Sequence, residues 1–129
     1  MVVTGAALVA VAGHLWGLYR DHGPPTPSWF GQADKLEHVV GFGLPCFLVL
    51  LAVHVLHVGA ARPRRWTVAF VVGAFLVHAV VSEVVQGELY TTRTGDPYDA
   101  LADIAGTLLG LLGYLRARAH LGRWSRGGT

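Results

Sequence analysis

Three short runs of this chain carry residue types able to move protons, grip anions or hold a metal ion. The first is Asp34-Lys35-Leu36-Glu37-His38, the second pairs Glu83 with Gln86, and the third is Arg93, Asp96, Asp99 and Asp103. A histidine beside carboxylates can pass a proton near neutral pH, and the set His38, Glu83, Asp99 and Asp103 would suit Zn²⁺ or Mn²⁺. Lys35 and Arg93 are the groups to grip a phosphate or carboxylate, Arg93 through its paired N–H groups. Lys35 is the one lysine beside nine arginines, which hints that an ammonium is wanted there. No activated nucleophile accompanies these groups. Ser82 has His78 one turn away, but both are equally explained as polar packing residues of a helix. The candidate ligands are spread over three segments without a compact motif such as His-x-x-x-His. A non-enzymatic protein with no resident cofactor is therefore favoured.

These groups must be brought together by the elements around them, and those elements are apolar. Of the 129 residues 53% are hydrophobic and 14% charged, and the mean hydropathy is +0.47. A soluble domain of this size would have too little polar surface, so hydrocarbon must solvate much of it. Apolar segments at about 2–19, 37–58, 67–89 and 99–117 predict membrane-spanning helices, since a span takes roughly 17–25 residues. The fourth apolar stretch is short, and its helix is expected to start near Tyr98 and run toward Leu121. Backbone in lipid must be helical or a closed barrel, and no barrel-type alternation is present. The fold class is thus all-α: one domain, 1–129, forming an integral membrane four-helix bundle. The first segment lacks a basic leader and an Ala-x-Ala site, so it reads as a retained span. Cys46 is the single cysteine, which excludes an internal disulfide and reads as helix packing. Pro45 is expected to kink the second helix, with Gly41 and Gly43 loosening the turn above. Gly13 and Gly17 on the first helix, and Gly106, Gly110 and Gly113 on the fourth, are expected to let helices pack closely.

Charge sorting orients the bundle. All eight acids (Asp21, Asp34, Glu37, Glu83, Glu88, Asp96, Asp99, Asp103) fall in or beside two loops, whereas seven of the ten bases (Arg62, Arg64, Arg65, Arg116, Arg118, Arg123, Arg126) fall in a third loop and the tail. Positive-inside counting places 60–65 and 116–129 in the cytoplasm, hence both the N- and C-termini inside and the acidic loops outside. Aromatic residues near the span ends agree: Trp16, Tyr19, Trp29, Phe30, Tyr90 and Tyr98 outside, Trp66, Tyr114 and Trp124 inside. The run Gly23-Pro24-Pro25-Thr26-Pro27 predicts an extended outer loop. Arginines that flank spans anchor to anionic lipid, so the basic pI is no sign of nucleic acid. His14, His54, His57 and His78 read as neutral packing or interface residues.

The polar runs should converge. Asp34 is expected to cap the second helix, with His38 one turn below it. Glu83 lies six residues before Leu89, about 9 Å below the helix end at 1.5 Å per residue. Asp99, Asp103, Gly106 and Gly110 share one stripe of the fourth helix, so the stripe that packs helices also carries two carboxylates. Charges at such depth usually face a bundle interior.

In order and in topological place, Asp34-Lys35-x-x-His38, then Glu83-x-x-Gln86, then Arg93-x-x-Asp96-x-x-Asp99-x-x-x-Asp103-x-x-Gly106-x-x-x-Gly110 resembles the pattern of the VanZ-like family of small bacterial membrane proteins. The resemblance covers about 34–113. One departure is Asp103, where the family usually has Asn. The resemblance implies a multi-pass protein of the bacterial cytoplasmic membrane, linked to envelope-level resistance to teicoplanin-like lipoglycopeptides, with no chemical mechanism defined. Three readings stay open. The charges clamp the outer loops to the helix ends, or they bind or modify an outer-leaflet lipid, lipoglycopeptide or lipid-linked cell-wall precursor, or they hold a divalent metal.

Overall fold

A computed structural model describes residues 1–20, 33–56, 65–91 and 95–124, the side chains as far as residue 120. Four helices make up the described chain, with no strand: α1 (Val2–Leu18), α2 (Ala33–Leu56), α3 (Arg65–Leu89) and α4 (Pro97–Trp124). Three are long and apolar enough to cross a membrane, over Ala33–Leu56, Arg65–Leu89 and Pro97–His120. The short helix is the first, not the fourth. At 17 residues, α1 is about 26 Å long, whereas α4 continues beyond its apolar stretch through Arg116 and Arg118. The expected start of α4 is nearly met. Asp96 caps it: the Tyr98 N–H donates to Asp96 Oδ1 at 2.8 Å, and Pro97 occupies the first helical position, where its missing N–H costs nothing. Asp34, by contrast, lies within the first turn of α2 rather than at its cap, where a carboxylate still favours the positive end of the helix dipole.

The bundle is built around α2, which packs most extensively on α4, then on α1 and α3. The α2–α4 seam depends on glycine. A Cβ on Gly106 would overlap the Val39 carbonyl, one on Gly110 the Gly43 carbonyl, and one on Gly43 would meet the Gly106 carbonyl oxygen at 2.9 Å. The steps of four along both helices let two parallel backbones touch, the close approach that small residues permit. Gly113 sits lower on the seam, against the Phe47 ring at 3.4 Å. The glycines of α1 behave otherwise. Nothing lies within 4 Å of a Cβ built on Gly13 or Gly17, nor on Gly41 of α2. The expectation that Gly13 and Gly17 pack helices is therefore corrected: they leave space.

Two apolar clusters fill the interior. Leu18, Phe42 and Ala79 form one, and Cys46, Leu50 and Tyr114 form the other. Tyr114 is fully buried, with its hydroxyl 3.4 Å from His54 Nδ1, so it is a core residue and not the interfacial anchor its position near the helix end suggested. Cys46 is likewise buried core. Helix α2 runs unbroken through Pro45. The large exposed side chains on the bundle flank are apolar, among them Leu44, Phe70, Val77, Val84, Leu101, Leu108 and Leu112. The buried set, however, includes His14, His38, Glu83, Gln86, Asp99, Asp103 and Thr107. Polar and charged groups buried beside the apolar clusters, with large apolar side chains on the outside, depart from the pattern usual for a soluble domain.

Gly106→Ala should destabilise the bundle by about 1–3 kcal/mol, because backbone must move to admit the methyl group. Gly5→Ala, whose Cβ meets nothing within 4 Å, should leave the melting temperature in detergent unchanged or slightly raised. Equal melting temperatures for the two variants would contradict a glycine-dependent seam.

Candidate functional site

The charged end of the bundle is where α2 and α4 begin and α3 ends. Lys35 stands at its mouth, and its ammonium donates to Asp96 Oδ2 at 2.8 Å, to Asp34 Oδ2 at 3.4 Å and to Asp99 Oδ1. Three donors meet three carboxylates, which uses the whole hydrogen-bonding capacity of the ammonium. Lys35 thus holds the first turn of α2 to the first turn of α4. Asp96 serves two helices at once, since its N–H donates to Glu83 Oε2 at 2.9 Å. Gly95 makes this possible: it lies so close to the backbone of Glu83 and Gly87 that no side chain would fit. The Lys35 ammonium, followed by the Tyr98 N–H, holds the Asp96 carboxyl below its ordinary value of 3.8.

One turn deeper, His38 is 7% exposed and Asp103 has no accessible surface. They meet through His38 Nδ1 and Asp103 Oδ1 at 2.9 Å, an arrangement in which the ring N–H donates to the carboxylate. The step of four from Asp99 to Asp103 puts both acids on the face that Gly106 and Gly110 press against α2. Glu83 Oε1 lies 4.0 Å from the same Nδ1. On the other edge of the ring, Nε2 lies 3.8 Å from Asp99 Oδ2 and 3.9 Å from Asp34 Oδ1. The predicted residues Asp34, Lys35, His38, Glu83, Asp96, Asp99 and Asp103 therefore form one cluster. The four proposed metal ligands all belong to it, but two overlapping sets have mutually close ligand atoms: Asp34, His38 and Asp99, and separately His38, Glu83 and Asp103. Arg93 lies outside the described residues, as do Asp21, the run 23–27, Trp29, Phe30, His57, Arg62, Arg64 and Arg126.

Gln86 departs from the expected pocket. Its amide donates to the Leu18 carbonyl at 3.1 Å, which ties α3 to the end of α1, and the Tyr90 hydroxyl does the same through the Tyr19 carbonyl at 2.8 Å. His78 joins these two helices further down, sharing hydrogen bonds with His14 Nε2 at 3.2 Å and the Tyr19 hydroxyl at 2.8 Å. Ser82 donates to the Ala79 carbonyl of its own helix at 3.2 Å. His78 and Ser82 are thus engaged separately, and the serine–histidine pairing considered from their spacing does not form.

A groove of about 250 Å³ runs between α1 and α2 from the charged cluster along the flank of the bundle. Arg20, Asp34, Glu37 and His38 line its polar end, and Ala10, Gly13, Val40, Gly41, Leu44 and Pro45 line the remainder. The room comes from Gly13, Gly17 and Gly41, where methyl groups are missing. Arg20 stacks over the Trp16 ring at 4.6 Å, and its buried Nε has no hydrogen-bond partner among the described residues. A cleft that is charged above and apolar below was expected from the sequence, but neither its place between α1 and α2 nor Arg20 in its lining was. The signal was present in Gly13 and Gly17, but glycines spaced by four read equally as packing. Comparison with known proteins finds no family model, no curated protein and no solved structure that matches the chain.

Lys35→Met should destabilise the protein by about 1–3 kcal/mol. This falls below the roughly 3–5 kcal/mol of a fully buried broken pair because water still reaches the ammonium. Glu37→Gln, at an exposed position, should change stability by no more than about 0.5 kcal/mol. Asp96 supplies a pH test with a definite sign. Its folded pKa lies below the unfolded one, so its contribution is present above pH ~4 and is lost as the pH falls through the folded value. Asp96→Asn should flatten that acid limb of the melting temperature, and an unaltered limb would contradict the Lys35–Asp96 pairing.

Proposed function

We propose that this chain is a multi-pass protein of the bacterial cytoplasmic membrane that binds an outer-leaflet amphiphile in the groove between α1 and α2. In this reading all four helices cross the membrane, both termini are cytoplasmic and the charged cluster faces outward. The apolar flank and the three long apolar helices support insertion in a membrane, and the sorting of acids from bases supports the orientation. Helix α1 fits as the fourth span despite its 17 residues, because a short span is accommodated by thinning the bilayer or by flanking residues that reach the interface.

The groove carries the functional reading. It is charged at one end and apolar over the rest of its length, which matches a molecule with an anionic head and a hydrocarbon tail. Lys35 is taken up by carboxylates, so the group to meet an anion is Arg20, whose Nε still lacks a partner among the described residues. A ligand carboxylate or phosphate would supply it with a charge-assisted hydrogen bond. The resemblance to the VanZ-like pattern directs this toward lipoglycopeptides of the teicoplanin type, with protection arising because the drug or its lipid-linked target is held or displaced at the membrane surface. A native lipid or lipid-linked cell-wall precursor is the alternative occupant, with resistance incidental to it.

Gly13→Leu fills the groove at a position where a Cβ meets nothing within 4 Å, so folding should be preserved. Bacteria that express this variant, or Arg20→Ala, should lose the protection given by the wild-type protein against a lipoglycopeptide. Susceptibility to an unlipidated glycopeptide should be the same in all strains. Full lipoglycopeptide protection by Gly13→Leu would sink the groove as the binding site.

A further inference from the structure

We infer that Asp34, His38 and Asp99 form a binding site for a divalent transition-metal ion such as Zn²⁺ or Mn²⁺. The three side chains come from two helices and place their ligand atoms within 4.8 Å of one another. The decisive atom is His38 Nε2. The ring is 93% buried, from an exposure of 7%, and its Nδ1 edge is committed to Asp103 at 2.9 Å. With the proton on Nδ1, Nε2 presents a lone pair to Asp99 Oδ2 and Asp34 Oδ1, two further electron-rich atoms at 3.8 and 3.9 Å. Neither oxygen is within hydrogen-bond distance of Nε2, so the three atoms face one another across a common space.

The spacing suits an ion. Ligand atoms about 2.1 Å from a tetrahedral centre are about 3.4 Å apart, so the 3.8 and 3.9 Å separations from Nε2 need close by only a few tenths of an ångström around an ion. Each carboxylate has one oxygen already engaged: Asp34 Oδ2 and Asp99 Oδ1 accept from Lys35, which leaves Asp34 Oδ1 and Asp99 Oδ2 turned toward His38 Nε2. Asp103 completes a second layer. A histidine that ligates a metal through one nitrogen almost always donates its other N–H to a carboxylate or carbonyl, which fixes the tautomer and strengthens the ligand. The electrostatics agree. Asp34, Asp96 and Asp99 surround the Lys35 ammonium, whereas Glu83 and Asp103 lie against the His38 ring. Among the described residues the carboxylates of this cluster outnumber its one ammonium, and a divalent ion would offset the surplus.

The alternative set on the Nδ1 edge, His38 with Glu83 and Asp103, is disfavoured by the 2.9 Å hydrogen bond already closed there. Choosing the Nε2 edge replaces Glu83 by Asp34 among the first ligands and moves Asp103 to the outer layer. The Nε2 edge also borders the α1–α2 groove, which His38 and Asp34 both line. Three protein ligands leave coordination positions open, and the ligand class that would fill them from the groove is an oxyanion, phosphate or carboxylate. The metal site does not depend on the amphiphile reading, and each has its own test.

The experiment uses the full chain purified in mild detergent, stripped with a chelator and titrated with Zn²⁺ or Mn²⁺ by calorimetry. Bound metal is counted by elemental analysis, and folding is checked by circular dichroism. One ion per folded chain is expected. Asp103→Asn should weaken binding about 10–100-fold as an outer-layer change, with Asp34→Asn and Asp99→Asn weakening it further. The proposal is overturned if folded wild-type protein takes up no ion. It is equally overturned if Asp34→Asn binds like wild type, including the case in which Glu83→Gln alone abolishes binding and so assigns the ion to the other edge of the ring. Asp34 is about half exposed and its substitution should fold, so a negative result there is interpretable.

Discussion

A carboxylate that neither water nor lipid can reach, Asp103, is the constraint around which the rest of this structure is arranged. An isolated charge in such a place would be several kcal/mol unfavourable, and the chain answers by bringing a histidine to it from another helix. That meeting requires α2 and α4 to approach at backbone distance, which explains why the residues below Asp103 on the same face are Gly106 and Gly110. The polar contact and the glycine seam depend on each other. Without the glycines His38 could not reach Asp103, and without the pair the seam would enclose an uncompensated charge.

Much of this was legible in the sequence because helical geometry is so regular. Steps of four and three residues fix which side chains share a face, so the convergence of Asp99 and Asp103 with His38 followed from spacing alone. The start of α4, expected near Tyr98, lies at Pro97, and the structure supplies the reason in the Asp96 cap. Packing partners were not legible. Gly13 and Gly17 repeat at the spacing of Gly106 and Gly110, yet one pair opens a groove and the other closes a seam; the difference lies in what the neighbouring helix presents. Tyr114 looked like an interfacial anchor because rank along a helix says nothing of rotation about it. Gln86 looked like a pocket residue because its partner, the Leu18 carbonyl, is main chain and leaves no mark in side-chain patterns.

Lys35 and Arg20 divide the work that charge alone would have assigned to either. The lysine is consumed by structure, with all its donors spent on holding two helix starts together. An ammonium suits that role, because three donors spread from one compact point can meet carboxylates on three sides. The arginine stands just past the end of α1, stacked on Trp16, and lines the polar end of the groove. In the proposed reading, an anionic ligand that meets Arg20 would not compete with the fold for its counter-charge.

The groove also has a direction. Gly13, Val40 and Leu44, which line it, are themselves exposed on the flank of the bundle, so it opens sideways. In a bilayer that aperture faces acyl chains. An amphiphile of the kind proposed would arrive by diffusing within the leaflet, in two dimensions. Occupancy would then follow the mole fraction of the amphiphile among neighbouring lipids instead of its dissolved concentration.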